Sequence, residues 1–199
     1  AEGLDSDSAF LTQQQVRQVE GGEKPGAADV GIVLTHQYYL RVVAARDDSP
    51  AARAGIRPGD FVRVLDSRPT RDMSAFEGQR LLAGAPGSKV TLTVIRGSAA
   101  EPHVVELTRE VPPTVDVKSR SQGDGIGYLR VTGFSRRTAD QLRAQIASLS
   151  KSGATRLIID LRNVAAGDLV EGVAAARLFV GSGTLAVRES RAAGQAKIE

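Results

Sequence analysis

The sequence predicts an α+β chain in two parts, a β-rich module carrying two helices and then a partial α/β layer of order β-α-β-α-β. Three observations carry this expectation. Runs with the two-residue period of strands dominate from Val30 to Thr108. Between two of those runs, Ser49-Pro-Ala-Ala-Arg-Ala-Gly-Ile-Arg-Pro-Gly-Asp60 packs a helix start, a helix stop and a tight turn into a single corner. Beyond Pro112-Pro113, apolar strand runs alternate with helical stripes. With 41% apolar residues a chain of 199 residues can bury real cores, and 4% aromatics makes those cores aliphatic.

The elements follow in order. Thr12-Gln-Gln-Gln15 is a capping box ahead of Val16 and Val19, so a short helix opens a lead-in of residues 1–26 that closes in the linker Gly21-Gly-Glu-Lys-Pro-Gly26. The β-rich module spans residues 27–111. Its first strands are Val30–Leu34 and Tyr39–Ala44, joined by a polar turn. At the corner, Ser49 caps, Pro50 suits the first helical position and Gly55 ends the helix, with Ile56 placed for a Schellman contact. Pro58-Gly59 reads as a type II turn that delivers Asp60 to the strand Phe61–Leu65. Ser74-x-x-Glu77 starts a second helix that stops at Gly84, and Lys89–Ile95 with His103–Thr108 forms a closing hairpin.

In residues 112–199, Gly127–Val131 is a strand and Thr138 is expected to cap a helix striped by Ala139, Leu142, Ile146 and Leu149. Leu157–Leu161 is a continuous apolar run of the kind buried on both faces, and a helix over Leu169–Val180 and a last strand at Thr184–Val187 complete a parallel layer.

Composition narrows the function classes. Basic side chains number 26 against 23 acidic, and they are interspersed rather than gathered on one run with aromatics, which argues against a nucleic-acid partner. No apolar run approaches the length of a membrane span, and no charged-then-apolar leader opens the chain. Cysteine is absent, which excludes disulfides and thiolate metal sites, and His36 and His103 lack the spacing of metal ligands. No cofactor or metal is expected, and the oligomeric state is not legible.

The corner, set between strands and followed by a helix and a hairpin, resembles the core of a PDZ domain, a partly open β-sandwich with two helices. That resemblance implies a partner class: the C-terminal tail of another protein, added as a strand to a sheet edge with its carboxylate held by loop amides. Val30, Gly31, Ile32, Val33 and Leu34 would form the loop and edge strand, and Ala75, Gln79 and Leu82, at i, i+4 and i+7, the helical wall of the groove. Gly78 and Leu81 would face the core. Asp29, beside the loop, is expected to repel a bound carboxylate, and Gln79 stands where an aliphatic residue is usual. Replacing Gly31 by a β-branched residue is expected to abolish binding and spare stability.

The flanks Leu4–Thr12 and Gly127–Ser135, with the stretch Leu157–Val180, are similar to the carboxyl-terminal-processing, or tail-specific, proteases of the S41 serine peptidase group. In that group the strand before the loop runs into Asp-Leu-Arg-Asn-Asn-Pro-Gly-Gly; here Asp160-Leu-Arg-Asn163 is followed by Val164-Ala-Ala-Gly167. The resemblance implies a serine nucleophile activated by lysine and an oxyanion hole fed by a loop amide, matched by position to Ala166 or Gly167. It places the serine and lysine beyond this chain, so catalytic residues are expected to be absent from it. Gly181-Ser-Gly183 lacks an activating base, and Lys151 reads as a partner of a helix dipole. The implied function is a piece of a serine endopeptidase acting outside the cytoplasm, in the periplasm or cell envelope. The alternative is a PDZ adaptor with a degenerate protease-like layer, which reads tails without cutting them.

Overall fold

The computed structural model describes residues 8–21, 26–97, 101–164, 167–190 and 194–198, the side chains of the last segment and of residue 190 excepted. The chain forms two compact units, Ala1–Pro112 and Pro113–Glu199.

In the first unit, α1 (Gln13–Glu20) starts at Thr12, whose hydroxyl accepts from the Gln15 N–H while the Gln15 side chain returns to the Thr12 N–H. The sheet runs β1 (Ile32–Gln37), β2 (Tyr39–Ala45), β3 (Phe61–Leu65), β5 (Lys89–Ile95) and β6 (His103–Thr108) side by side and antiparallel, with the short β4 (Arg68–Pro69) paired to β3. Strand β1 is therefore an edge. The core is aliphatic as composition requires, with Leu40, Val62, Leu65, Leu92 and Val94 all fully buried.

The corner folds as its residues dictate. Ser49 Oγ accepts the Ala52 N–H, Pro50 opens α2 (Pro50–Arg53), and the paired bonds Gly55 N–H to Ala52 O and Ile56 N–H to Ala51 O close a Schellman cap. Asp60 is the pin of this corner: it is buried, takes the Arg57 N–H at 2.9 Å, and is forked by Arg96 at 2.7 and 2.8 Å. Burial pushes its carboxyl up, but the Arg96 fork and the Arg57 N–H outweigh that and hold it below the ordinary 3.8. A depressed carboxyl stabilises fully above its unfolded value and loses that contribution as pH falls through the folded one. Urea midpoints of the first unit should therefore drop, as pH falls below about 4, by more in the wild type than in Asp60→Asn; equal slopes would refute the assignment.

Helix α3 (Ala75–Leu82) begins at Ser74, whose hydroxyl accepts the Glu77 N–H at 3.1 Å. The Glu77 carboxylate pairs with Arg68 across the surface. The C-terminal end of α3 is fastened by Arg109, only 7% exposed: Nε donates to Leu82 O at 3.0 Å, Nη2 to Leu81 O at 2.8 Å, and Nη1 to Lys89 O at 2.6 Å and Ser88 Oγ at 3.0 Å.

In the second unit, β7 (Val117–Gly123) pairs antiparallel with β8 (Ile126–Val131), and β8 pairs parallel with β9 (Arg156–Asp160) across the connecting helix α4 (Thr138–Lys151). Strand β7 went unread because its run Lys118-Ser-Arg-Ser-Gln122 has no apolar alternation. Thr138 is not the cap of α4. It is the first helical residue, and its hydroxyl accepts the Ser135 N–H at 2.8 Å and sits 3.0 Å from the Asp116 carboxylate. The stripe of α4 meets Val117, Leu129 and Val131 through Leu142 and Leu149.

Three further expectations are corrected. Strand β9 is not buried on both faces: among the described residues it pairs only with β8, and Leu157 and Ile158 remain 38% and 48% exposed. The last strand does not extend the parallel layer. It is β10 (Ala186–Ser190), which among the described residues pairs antiparallel with β11 (Gly194–Ile198), a partner separated from it by only three residues of sequence and so too near for the long crossover a parallel pair requires. Helix α5 (Leu169–Ala176) also stops four residues short of Val180, Phe179 N–H turning back to Ala176 O.

Candidate functional site

The residues expected to line a groove stand on the outer strand β1 and on α3, which pack against each other. Helix α3 comes close because position 78 has no side chain: a Cβ there would stand 2.3 Å from Leu40 Cδ1 and 3.1 Å from Leu34 Cδ1. The loop ahead of β1 turns at Gly31, in the left-handed region at φ +79°. Its main chain is anchored from behind, Arg46 N–H to Gly31 O at 2.7 Å and Ala51 N–H to Val30 O at 3.1 Å.

Within this frame Val30, Ile32 and Leu34 are buried, and Val33 half-buried. Ala75 is half-buried, Gln79 is exposed, and Leu82 is sunk in the core at 1% exposure. Leu82 thus joins the packed interior and offers no surface between β1 and α3. Gly78, as expected, faces inward, and Leu81 packs on the core's margin.

The polar groups hold the strongest surprise. Asp29 does not merely stand near the loop: its Oδ1 accepts the Gly31 N–H at 2.8 Å. Arg46 clamps the same carboxylate with Nη2 at 2.7 Å and Nη1 at 3.4 Å. The Arg46 side chain is 10% exposed, and its Nε has no hydrogen-bond partner among the described residues. Gln79 reaches back across the gap, Nε2 donating to Ile32 O at 2.9 Å and Oε1 accepting the Leu34 N–H at 3.3 Å. Sequence reasoning missed Arg46 altogether. It follows the strand Tyr39–Ala45 with no spacing that singles it out, and only the fold carries it beside Asp29, 17 positions upstream.

The expectation for Gly31 is also corrected. A Cβ there would lie 2.3 Å from Ser49 Cβ and 2.5 Å from its Oγ, so a bulky residue opposes the fold itself as well as the groove.

In the second unit the loop after β9 starts from Asp160. Arg162 holds one carboxylate oxygen through Nε at 2.9 Å and its main-chain N–H at 3.0 Å, and the other through Nη2 at 2.6 Å, where the Tyr128 hydroxyl also donates. The Arg162 hydrogen bonds, then that of Tyr128, hold this carboxyl far below the usual carboxylate range. Of the two oxyanion candidates, Ala166 lies outside the described residues. Gly167 bridges Phe134 in parallel, a Cβ at 167 would come 3.1 Å from Phe134 Cβ, and Asp168 caps α5 by accepting the Val170 N–H at 2.9 Å. Ser182 is exposed on a shallow depression lined by Arg177, Gly181, Gly183 and Thr184, with no base among them. Among the described residues no cluster of His, Cys, Asp or Glu could hold a metal, and no helix is long and apolar enough to cross a membrane.

Comparison with known proteins agrees with both units. Residues 41–96 match the family model described as a PDZ domain, and residues 125–199 that described as peptidase family S41. The carboxy-terminal-processing protease of Bartonella bacilliformis is 29% identical over 193 residues, covering 94% of this chain and 44% of that protein. The carboxyl-terminal-processing protease of Picosynechococcus sp. is 31% identical over 188 residues, covering 92% and 45%. The chain thus spans less than half the length of these relatives. Among solved structures, a photosystem II D1 C-terminal processing protease shares the fold, with a TM-score of 0.78 over 96% of this chain and 54% of that one at 24% identity.

Proposed function

We propose, for a chain that joins a PDZ domain to part of a peptidase family S41 domain and has carboxyl-terminal-processing proteases as relatives, that the first unit captures the C-terminal tail of a protein substrate and presents it for cleavage. The observation that carries this reading is the edge strand β1 lying beside α3, entered through a loop that turns at a left-handed glycine with Arg46 behind it. An extended tail would pair its main chain with β1, and its terminal carboxylate would settle at Gly31 and Arg46. Arg46 makes a free carboxylate preferable to an amide, because a charge-assisted bond to a half-sequestered guanidinium is stronger than a neutral one.

The chemistry we assign to the whole protein is peptide hydrolysis by a serine with lysine as its base, both supplied by sequence this chain does not include, without metal or cofactor. The loop entering α5 would contribute an oxyanion donor. We place the protein outside the cytoplasm, in the periplasm or cell envelope, on the family resemblance.

Calorimetric titration of the chain with a peptide ending in an apolar residue, against its C-terminally amidated twin, tests the binding step. The free acid should bind about tenfold more tightly or better, the worth of one charge-assisted hydrogen bond. Equal affinities would contradict carboxylate capture.

A further inference from the structure

We propose that Asp29 and Gln79 together occupy the groove as an internal stand-in for the tail, so that a peptide enters only by displacing both. The proposal rests on the reading of this groove as a tail-binding site. Each end of a bound tail has its counterpart already in place. At the carboxylate end, the Asp29 carboxylate sits on the Gly31 N–H and on the Arg46 guanidinium. Along the strand, the Gln79 amide offers one N–H and one C=O, the same pair a peptide unit offers. It uses them on Ile32 O and on the Leu34 N–H. The C=O of one strand residue and the N–H of the residue two further on point to the same side, so these are the groups with which an added strand would begin its ladder on β1.

The remaining features fit this state. Leu82, Val30 and Ile32 are 1%, 0% and 3% exposed, so these three side chains present no open wall to a terminal apolar side chain. A nearly buried cation needs a counter-charge, and in the empty groove Asp29 supplies it. The Asp29 side chain keeps 29% exposure, which lets it swing to water when another carboxylate arrives to take Arg46 Nη1 and Nη2. Closure by hydrogen bonds that water can replace is weak, and apparent affinity is the intrinsic affinity scaled by the open fraction. The device therefore sets a threshold: it admits free carboxylates on extended tails and discounts internal segments, which lack the charge to take Arg46 from Asp29.

The test uses the 15N-labelled chain, a peptide with an apolar C-terminal residue and its amidated twin. Gln79→Ala, an exposed helical position where alanine is well tolerated, should bind both peptides about tenfold more tightly, the worth of two net hydrogen bonds no longer competing. Asp29→Asn should tighten the free acid and leave the amide unchanged, since only a carboxylate profits from a released Arg46. In the wild type, the Gln79 side-chain amide resonances should move toward solvent values as the free acid saturates the groove. Wild-type binding with Gln79→Ala equal or weaker, or with the Gln79 resonances unmoved at saturation, would overturn the occlusion and leave tail binding standing. Binding by none of the three proteins would overturn tail binding and the occlusion with it.

Discussion

Gly31→Val is expected to unfold the first unit rather than merely block its groove. Two effects add. A β-branched residue at φ +79° is held in the left-handed region, at about 1–2 kcal/mol. Its Cβ would stand 2.3 Å from Ser49 Cβ, and overpacking of that kind costs about 1–3 kcal/mol. Ser49 cannot step aside cheaply, being 3% exposed with its hydroxyl tied to the Ala52 N–H as the cap of α2. A loss of about 4 kcal/mol removes much of the stability of an ordinary domain and lowers Tm by roughly 15 °C or more. Thermal unfolding followed through first-unit amide resonances would measure it. A Tm within a few degrees of wild type would show that the loop can re-form around the side chain.

Arg109→Met should have the next largest effect. The methionine keeps the aliphatic stem but withdraws the donors on Leu81 O, Leu82 O, Lys89 O and Ser88 Oγ. The last carbonyls of a helix have no partner within it, and burying them unsatisfied costs about 1–3 kcal/mol each before relaxation. Asp66, 3.8 Å from the guanidinium and 41% exposed, recovers its hydration and limits the damage. A net loss of about 3 kcal/mol is expected, with hydrogen exchange quickening most in the last turn of α3. Exchange that quickens evenly through the unit would mean that Arg109 serves the whole core rather than the helix end.

The parts of this fold that were legible in sequence are those whose cause is local. The corner at Ser49–Asp60 could be read residue by residue because proline, glycine and a capping serine each act within a few positions. The groove's elements were likewise legible, since a glycine loop before an alternating run and a striped helix are local patterns. What escaped depended on partners distant in sequence. Strand β7 is polar and exists because β8 offers it a ladder. Leu157 and Ile158 looked doubly buried because composition cannot tell a central strand from an edge. Asp29 was legible as an obstacle to a carboxylate but not as a substitute for one, because Arg46 meets it only in three dimensions. Gln79 was noticed as an unusual residue at its place, yet its two bonds to β1 span 45 and 47 positions.

Among the described residues one margin of β9 carries no partner strand. A strand carrying the exposed Leu157 and Ile158, with Leu161, Leu169 and Val170 also turned to water nearby in sequence, is a template onto which another backbone can pair. A further strand laid along that margin would cover those side chains and block such pairing.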